Sequence, residues 1–355
     1  MPNPLEVAKL VVRGQEYTEW ETVTVVANWI ESRSTFTFTA TEISTTPARL
    51  NELKQFVPGD PVEIFLAGKQ IIEGYITQRQ AAYAARQHGV QLIGHTLSYL
   101  LDKDSISTDT GSFDGSTLVA IAKAVAGDSG VDVRTVGNVD GKPFKQVQVQ
   151  PGQLKWEFLE ELARNKSVVL GSDQQGNLLL IGDHGESPEG EVVEGKNILR
   201  AQCLITNELA YNEVTVFGSQ PGHDDEWGKD VSEQKAKAHG NDPLPSKRGI
   251  VMEHPDSPEM VQKRATHEAR WASGTMIDAS VTVQGWINDH TGDLWRPGRV
   301  VTVVSPMLML NDPLGIKTAT FHQSMGAGTT TTLELVLAFM LNIDNAPVPG
   351  FARPE

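Results

Sequence analysis

The sequence contains a single cysteine, Cys203, among 355 residues. An intrachain disulfide and a cysteine-rich metal site are therefore both excluded. A chain of this length buries enough apolar surface to fold without such cross-links. The lone cysteine is typical of a protein that assembles in a reducing cytoplasm.

Long apolar runs are missing as well. The run "LVLAFML" near the C-terminus has the length of a strand, whereas a membrane-spanning helix needs about 20 apolar residues. The first residues, "MPNPLEVAKLVVRG", lack the charged and apolar pattern of a secretory leader. We therefore expect no stable membrane insertion and no classical export.

Positive charge is in deficit, because 30 lysines and arginines face 45 aspartates and glutamates and give a formal net charge of −15. Nucleic-acid-binding proteins concentrate basic residues in a patch, and the sequence has no such run. We predict no specific binding to nucleic acid. An acidic surface favours solubility, and it would also suit a channel through which DNA slides without sticking.

Motifs of catalysis are absent too: there is no phosphate-binding glycine loop, no nucleophile elbow and no His-Glu-x-x-His zinc motif. The cluster "GHDDEW", with His223, Asp224, Asp225 and Glu226, could coordinate a divalent cation. The four side chains are consecutive and no distant ligand accompanies them, which favours a solvated acidic loop.

A second acidic group consists of Glu157, Glu160 and Glu161. Paired carboxylates are the signature of glycosidases, but these three lie within about one turn of an amphipathic helix, which favours a solvent-facing surface. The seven tryptophans, which include Trp156 and Trp271, favour packing over carbohydrate stacking. We predict no catalytic, cofactor-binding or metal-binding residues, no cofactor and no enzymatic activity.

The sequence does contain two regions of β pattern separated by a region of helical pattern. Short Thr-, Val- and Phe-rich strands, each followed by a turn, fill residues 1–105 and return in residues 198–345. This pattern is typical of barrels or sandwiches. We predict a mainly β chain with two similar β-barrel domains, with a helical and irregular insertion at about 221–274 in the second.

The intervening residues 113–190 are predicted to form a smaller mixed α/β domain. The stretch "DGSTLVAIAKAVAG" indicates a helix with Ser116 or Thr117 as its N-cap and Gly127 as its stop. "QLKWEFLEELARNK" indicates a second helix, and "SVVLGSDQQGNLLLIG" indicates a hairpin.

The two β regions agree in the order of five elements. The first has "TVTVVAN", "TFTFTAT", Pro58-Gly59 with "VEIFL", "IIEGYIT" and "GVQLIGH". The second has "EVTVFGS", "ASVTVQG", Pro297-Gly298 with "VVTVV", "GIKTATF" and "TLELVLA". This order predicts a duplicated unit. A trimer of such a chain presents six similar units, so it can match a six-fold partner on one face and a three-fold partner on the other.

Stretches spread along most of residues 5–340 also resemble one family. They include "EWETVTVVANWIESRSTFTFTAT", "VPGDPVEIFLAGKQIIEGYI", "VQVQPGQLKWEFLEELARNKSVVLGSDQQGNLLLI" and "LWRPGRVVTVVSP". Their order is similar to that of the baseplate hub proteins of Mu-like tailed phages, a group related in fold to the base of type VI secretion spikes.

The resemblance implies a homotrimeric ring in the virion tail baseplate, assembled in the bacterial host cytoplasm. The ring would adapt the hexameric tail tube to the trimeric central spike, contact other baseplate proteins and let DNA pass during ejection. Two alternatives stay open: a tail-associated cell-wall hydrolase and a host-carbohydrate-binding protein.

Overall fold

The computed structural model describes residues 6–42, 56–84, 87–107, 111–218, 234–252 and 255–343. The chain is mainly β with a few helices, as the sequence predicts. The strands are β1 (Ala8–Val12), β2 (Gln15–Tyr17), β3 (Thr22–Asn28), β4 (Thr35–Glu42), β5 (Pro61–Leu66), β6 (Lys69–Ala84), β7 (Gln87–Thr96), β8 (Val133–Val136), β9 (Val169–Ser172), β10 (Leu178–Ile181), β11 (Pro188–Val193), β12 (Ile198–Ile205), β13 (Glu213–Gly218), β14 (Gln234–His239), β15 (Lys247–Val251), β16 (Ile277–Gln284), β17 (Ile287–Asn288), β18 (Asp293–Leu294), β19 (Val300–Ser305), β20 (Leu310–Ser324) and β21 (Gly328–Leu337).

The helices are α1 (Leu100–Lys103), α2 (Leu118–Gly127), α3 (Lys155–Asn165) and α4 (Pro258–Gly274), with 3-10 turns at Leu97–Tyr99 and Ala338–Leu341. Among the described residues, no helix combines the length and the apolar character needed to cross a membrane. The predicted cap of α2 is confirmed, because Thr117 rather than Ser116 accepts from the backbone N–H of Ala120. At the start of α4, Ser257 accepts from the backbone N–H of Met260.

One 13-stranded sheet contains most of the strands of both β regions. Its path runs β12-β16-β21-β20-β3-β4-β7-β6-β5-β1-β2, and β19 and β11 branch from β20. Strand pairing within the described ranges closes neither region into a barrel, so the two barrels stay a prediction. One large apolar core underlies the sheet and includes Phe36, Phe38, Trp286 and Phe321.

The two halves of this sheet have the same strand order. The first half reads β3-β4-β7-β6-β5-β1 and the second reads β12-β16-β21-β20-β19-β11. The last pairing differs, because β1 runs antiparallel to β5 whereas β11 runs parallel to β19. The sequence comparison was wrong about one strand: β12 takes the place equivalent to β3, whereas "EVTVFGS" forms β13 in a separate sheet.

The middle of the chain forms a second core. The sheet β8-β10-β9 carries α2 and α3, and the predicted hairpin is β9 and β10. Asp173 shapes its turn by accepting from the backbone N–H groups of Gln175 at 3.0 Å and Asn177 at 2.9 Å.

The segment between β12 and β16 packs on this second core. Its sheet, β14-β13-β15, and α4 contribute Val214, Val216, Met260 and Val261 to the same cluster as the apolar faces of α2 and α3. The insertion predicted at about 221–274 was expected to be irregular outside its helix, and this is wrong for the strands β14 and β15. Their lysine-rich sequences, such as "QKAKAH", carry too few apolar residues to predict a strand.

Candidate functional site

The two β regions join where β3 pairs with β20. Seven residues of each strand are in register, from Thr22 opposite Ser324 to Asn28 opposite Thr318. On the core side Val25 and Phe321 are fully buried. On the other side the hydroxyl group of Thr318 donates to Oδ1 of Asn28 at 3.0 Å. The joint is therefore a well-packed strand pair that makes the two regions one sheet.

Trp29 follows β3 directly and connects this joint to the middle of the chain. Its backbone N–H donates to the carbonyl oxygen of Lys317 in β20 at 3.1 Å, and its own carbonyl oxygen accepts from the N–H of Ser172 in β9 at 3.2 Å. Its ring lies against Gly298, the glycine of the second Pro-Gly pair. Nothing in the local sequence marks this role, because all of these partners are more than 140 residues away.

The repeated Pro-Gly pairs occupy equivalent positions. The N–H of Gly59 donates to the carbonyl oxygen of Ile76 at 2.7 Å, and the N–H of Gly298 donates to that of Ile316 at 2.8 Å. Each glycine has a positive φ, +97° and +82°, which side chains with a Cβ rarely adopt. The sequence repeat thus reflects one local structure built twice.

The same equivalence continues along β6 and β20. Both strands carry a β-bulge immediately after these isoleucines, between Ile76 and Gln78 and between Ile316 and Thr318. A bulge is a specific geometric feature that fixes strand register. Residue numbers 76–84 in β6 therefore correspond to 316–324 in β20.

The edges of the sheet differ from their equivalents in burial. Ala27 in β3 is fully buried, whereas its equivalent in β12, Ile205, is 38% exposed. Phe321 in β20 is fully buried, whereas its equivalent in β6, Ala81, is exposed. β12 and the second half of β6 thus correspond to the buried strands β3 and β20, but their own side chains are as exposed as those of edge strands.

Cys203 lies on β12, and its side chain packs at the margin of the large core. Burial, and secondarily the nearby carboxylate of Asp278, raises the pKa of its thiol. A thiol with a raised pKa is less often ionised and so less reactive at neutral pH. Cys203 therefore has the character of a packing residue.

The acidic groups considered in the sequence have separate environments. The cluster of His223, Asp224, Asp225 and Glu226 lies outside the described residues. On α3, Glu157 is exposed and Glu161 accepts from Nε2 of Gln153 at 3.0 Å. Within the described ranges, no three His, Cys, Asp or Glu side chains converge on a position for a metal ion.

The structure does bring two of the tryptophans together. Trp156 on α3 and Trp271 on α4 line one groove of about 480 Å³, with Glu160 and the pair His267 and Glu268. Burial, followed by the charges of nearby arginines, lowers the pKa of His267 to about 3. The carboxylate of Glu268 forms an ion pair with the guanidinium group of Arg264, with Oε1 and Nε 2.8 Å apart. Nothing in the local sequence indicates this groove, because α3 and α4 are about 100 residues apart.

Three family models match successive parts of the chain. Residues 7–96 match "Mu phage baseplate assembly protein GpP-like, N-terminal". Residues 99–182 match "Baseplate hub protein gp44-like, second domain", and residues 257–340 match "Mu phage baseplate assembly protein GpP, fourth domain". No curated protein sequence matches the chain.

Several solved structures share the fold. The 43 kDa tail protein of prophage MuSo2 from Shewanella oneidensis is 22% identical, with a TM-score of 0.79 over 96% of this chain and 100% of that protein. The tail protein from Neisseria meningitidis MC58 is 19% identical, with a TM-score of 0.79 over 95% and 98%. A component of the E. coli type VI secretion system is 11% identical, with a TM-score of 0.56 over 96% and 80%.

Identities this low show a common fold and nothing more specific. The family models add the sequence evidence, in three segments that follow one another along the chain. The resemblance of this chain to the baseplate hub proteins of Mu-like tailed phages, which its sequence indicated, is therefore confirmed.

Proposed function

We propose that this chain is the structural hub of a phage tail baseplate. Three copies form a homotrimeric ring that joins the hexameric tail tube to the trimeric central spike and lets DNA pass through its lumen. The ring belongs to the virion tail, is assembled in the bacterial host cytoplasm, and contacts other baseplate proteins around it.

The observation that carries this proposal is the duplicated strand order with its matched bulges and Pro-Gly hydrogen bonds. A chain with two similar units offers six of them in a trimer, which is what a junction between six-fold and three-fold partners needs. In the ring, residues 1–105 and 198–345 each act as one barrel-like unit, and residues 113–190 form the smaller α/β domain.

The role is mechanical rather than catalytic. The matched families are named for baseplate proteins. On the surface of α3, Glu157 is exposed to solvent and Glu161 accepts a hydrogen bond from Gln153, so neither has the environment of a catalytic carboxylate. The net charge of −15 suits a ring through which DNA passes without being held, because phosphates are repelled by an acidic wall.

Negative-stain electron microscopy of the purified chain, combined with its mass in solution, tests the proposal. We expect a particle of three times 38.7 kDa with six lobes around a central hole. A compact monomer at every concentration tested, or a closed particle with no hole, would overturn it.

The groove with Trp156 and Trp271 favours a second candidate, a host-carbohydrate-binding protein, because a groove lined by two tryptophans and by carboxylates is suited to sugars. Titration with host polysaccharide, comparing the wild type with Trp271→Ala, distinguishes it. Clearing of a peptidoglycan suspension by the purified protein would instead support the hydrolase.

A further inference from the structure

We propose that the groove between α3 and α4 binds a zwitterionic head group of the phosphocholine type, in which a quaternary ammonium is joined to a phosphate. The inference goes beyond the hub proposed above and does not depend on it. It rests on the two tryptophans that line the groove and on two opposite charges, Glu160 and Arg164, that line it without forming an ion pair with each other.

The first step concerns the face that α3 turns toward the groove. Trp156, Glu160 and Arg164 follow one another at intervals of four residues, so they lie on the same side of the helix. All three line the groove, and so does Trp271 of α4. The groove therefore offers an indole, a carboxylate and a guanidinium in a row along α3, with a second indole from α4.

The second step concerns the two charges on α3. A glutamate four residues before a basic residue is the favourable order for an ion pair in a helix. In α4 the reverse order still forms a pair, because Arg264 and Glu268 are 2.8 Å apart. In the part of the chain that the structure describes, Glu160 and Arg164 do not form one, and Nε of Arg164 is buried without a hydrogen-bond partner.

The other charged side chains of the groove have partners. Lys317 forms an ion pair with Glu31 at 3.5 Å, and the guanidinium of Arg248 lies 5.4 Å from the ring centre of Tyr211. Burial lowers the pKa of His267 to about 3, so its imidazole is neutral at physiological pH. Within the described ranges, the charges left for a ligand are one carboxylate and one guanidinium, both on α3.

A ligand that satisfies both groups carries a positive and a negative charge. Indole rings attract quaternary ammonium groups through their π faces, and a carboxylate adds to this attraction. A guanidinium binds phosphate through charge-assisted hydrogen bonds. Side chains four residues apart on a helix have Cβ atoms about 5–6 Å apart, and phosphocholine separates its two charges by a comparable distance. A neutral sugar would leave both charges of the groove unpaired, which is unfavourable in a partly enclosed site.

Isothermal titration of the purified full chain with phosphocholine and with choline tests the site. We expect saturable binding of both, with phosphocholine the tighter ligand because choline lacks the phosphate. Arg164→Gln should weaken phosphocholine binding about tenfold, the effect of losing a charge-assisted hydrogen bond, and should leave choline binding unchanged. Glu160→Gln and Trp271→Ala should weaken the binding of both ligands.

Choline also controls for folding, since a variant that has lost its structure loses both ligands. Arg200→Gln changes an exposed arginine outside the groove and should bind like wild type. Phosphocholine that binds no more tightly than choline, or an Arg164→Gln change that weakens both equally in a folded chain, overturns the assignment. Absence of phosphocholine binding overturns it too, and a trimeric particle in the same sample leaves the hub intact.

A phosphocholine group can be carried by a lipid or by a glycan, and cosedimentation with vesicles separates the two. Vesicles of phosphatidylcholine that sediment the wild type but not Trp271→Ala, while vesicles of phosphatidylglycerol sediment neither, support the site and assign a lipid as the carrier. Saturable binding of free phosphocholine without sedimentation supports the site and assigns a head group outside a bilayer.

Discussion

The ring of Trp29 lies so close to Gly298 that a Cβ built on the glycine would be 2.5 Å from its nearest ring carbons. The equivalent glycine, Gly59, makes the same type of hydrogen bond, but none of the described residues lies within 4 Å of the position of a Cβ. The two glycines thus share a backbone conformation but differ in the residues around them. Gly298 packs against Trp29, the residue that follows β3 at the internal joint, whereas Gly59 does not.

Replacing each glycine by alanine separates the cost of backbone strain from the cost of the clash with the ring of Trp29. Gly59→Ala should lower the free energy of unfolding by about 1–2 kcal/mol, the cost of a left-handed backbone with a Cβ. Gly298→Ala should cost about 2–4 kcal/mol, because the clash with the ring adds to the same backbone strain. Urea unfolding of the two variants measures both values.

The double variant Trp29→Ala/Gly298→Ala provides the control for the clash. Removing the ring should make the additional cost of Gly298→Ala similar to that of Gly59→Ala. Equal costs for the two glycines in the presence of Trp29 would contradict the role assigned to the ring.

Lys155 at the start of α3 is a buried charge with defined partners. Its Nζ donates to Asp128 and to Ser129, both at 2.7 Å, and its side chain is 3% exposed. Lys155→Ala removes these bonds and the packed stem, so we expect a loss of about 2–4 kcal/mol in the free energy of unfolding. Thermal unfolding checks this, with the exposed Lys123→Ala on α2 expected to change stability by less than about 0.5 kcal/mol. Similar effects of the two changes would rule out a stabilising role for the contacts of Lys155.

Asn342 connects the end of the second β region to the middle of the chain. Its Nδ2 donates to the carbonyl oxygens of Ser167 at 3.0 Å and Ile181 at 2.8 Å, and it is 4% exposed. Asn342→Asp places a carboxylate against two carbonyl oxygens and should cost more than Asn342→Ala, which we expect to lose about 1–3 kcal/mol. Chemical denaturation gives the order, and an aspartate variant as stable as wild type would argue against these two bonds.

His267 should make stability depend on pH. Burial lowers its pKa to about 3 from the ordinary 6.5. Between these values the unfolded chain binds a proton that the folded chain does not, so stability rises with pH across this window and is fully present above pH 6.5. The slope from one group is at most about 1.4 kcal/mol per pH unit.

Comparison with His267→Gln isolates this contribution from those of other groups. The variant should show a smaller loss of stability between pH 7 and pH 4 than wild type, whereas the exposed His290→Gln should follow wild type. Denaturant titrations at several pH values give the two curves. Parallel curves for wild type and His267→Gln would mean that the histidine titrates normally.

The sequence predicted the elements that are specified locally. Thr117 was one of the two predicted N-caps of α2, and Asp173 with the following polar residues marked the turn of the β9–β10 hairpin. In each case the signal and the structure lie within a few residues. The Pro-Gly repeat was also recognisable, because a glycine with positive φ is a sequence requirement.

The long-range features were not predictable in the same way. β13 alternates polar and apolar residues more regularly than β12, so the sequence comparison placed it in the repeat, whereas strand pairing chose β12. The joint between β3 and β20 has no local signal, since Asn28 and Thr318 are 290 positions apart. The groove between α3 and α4 likewise depends on tertiary packing.

The internal joint also sets the order in which this chain can finish folding. β3 leaves the ribosome well before its partner β20, since Asn28 and Thr318 of this pair are 290 positions apart. Until β20 is synthesised, β3 lacks a partner along one edge, as β12 does among the residues that the structure describes. Pairings between such distant residues form slowly and expose edges that can associate wrongly. On polysomes, where nascent chains are close neighbours, the interval between the synthesis of β3 and β20 is therefore when misassembly is most costly.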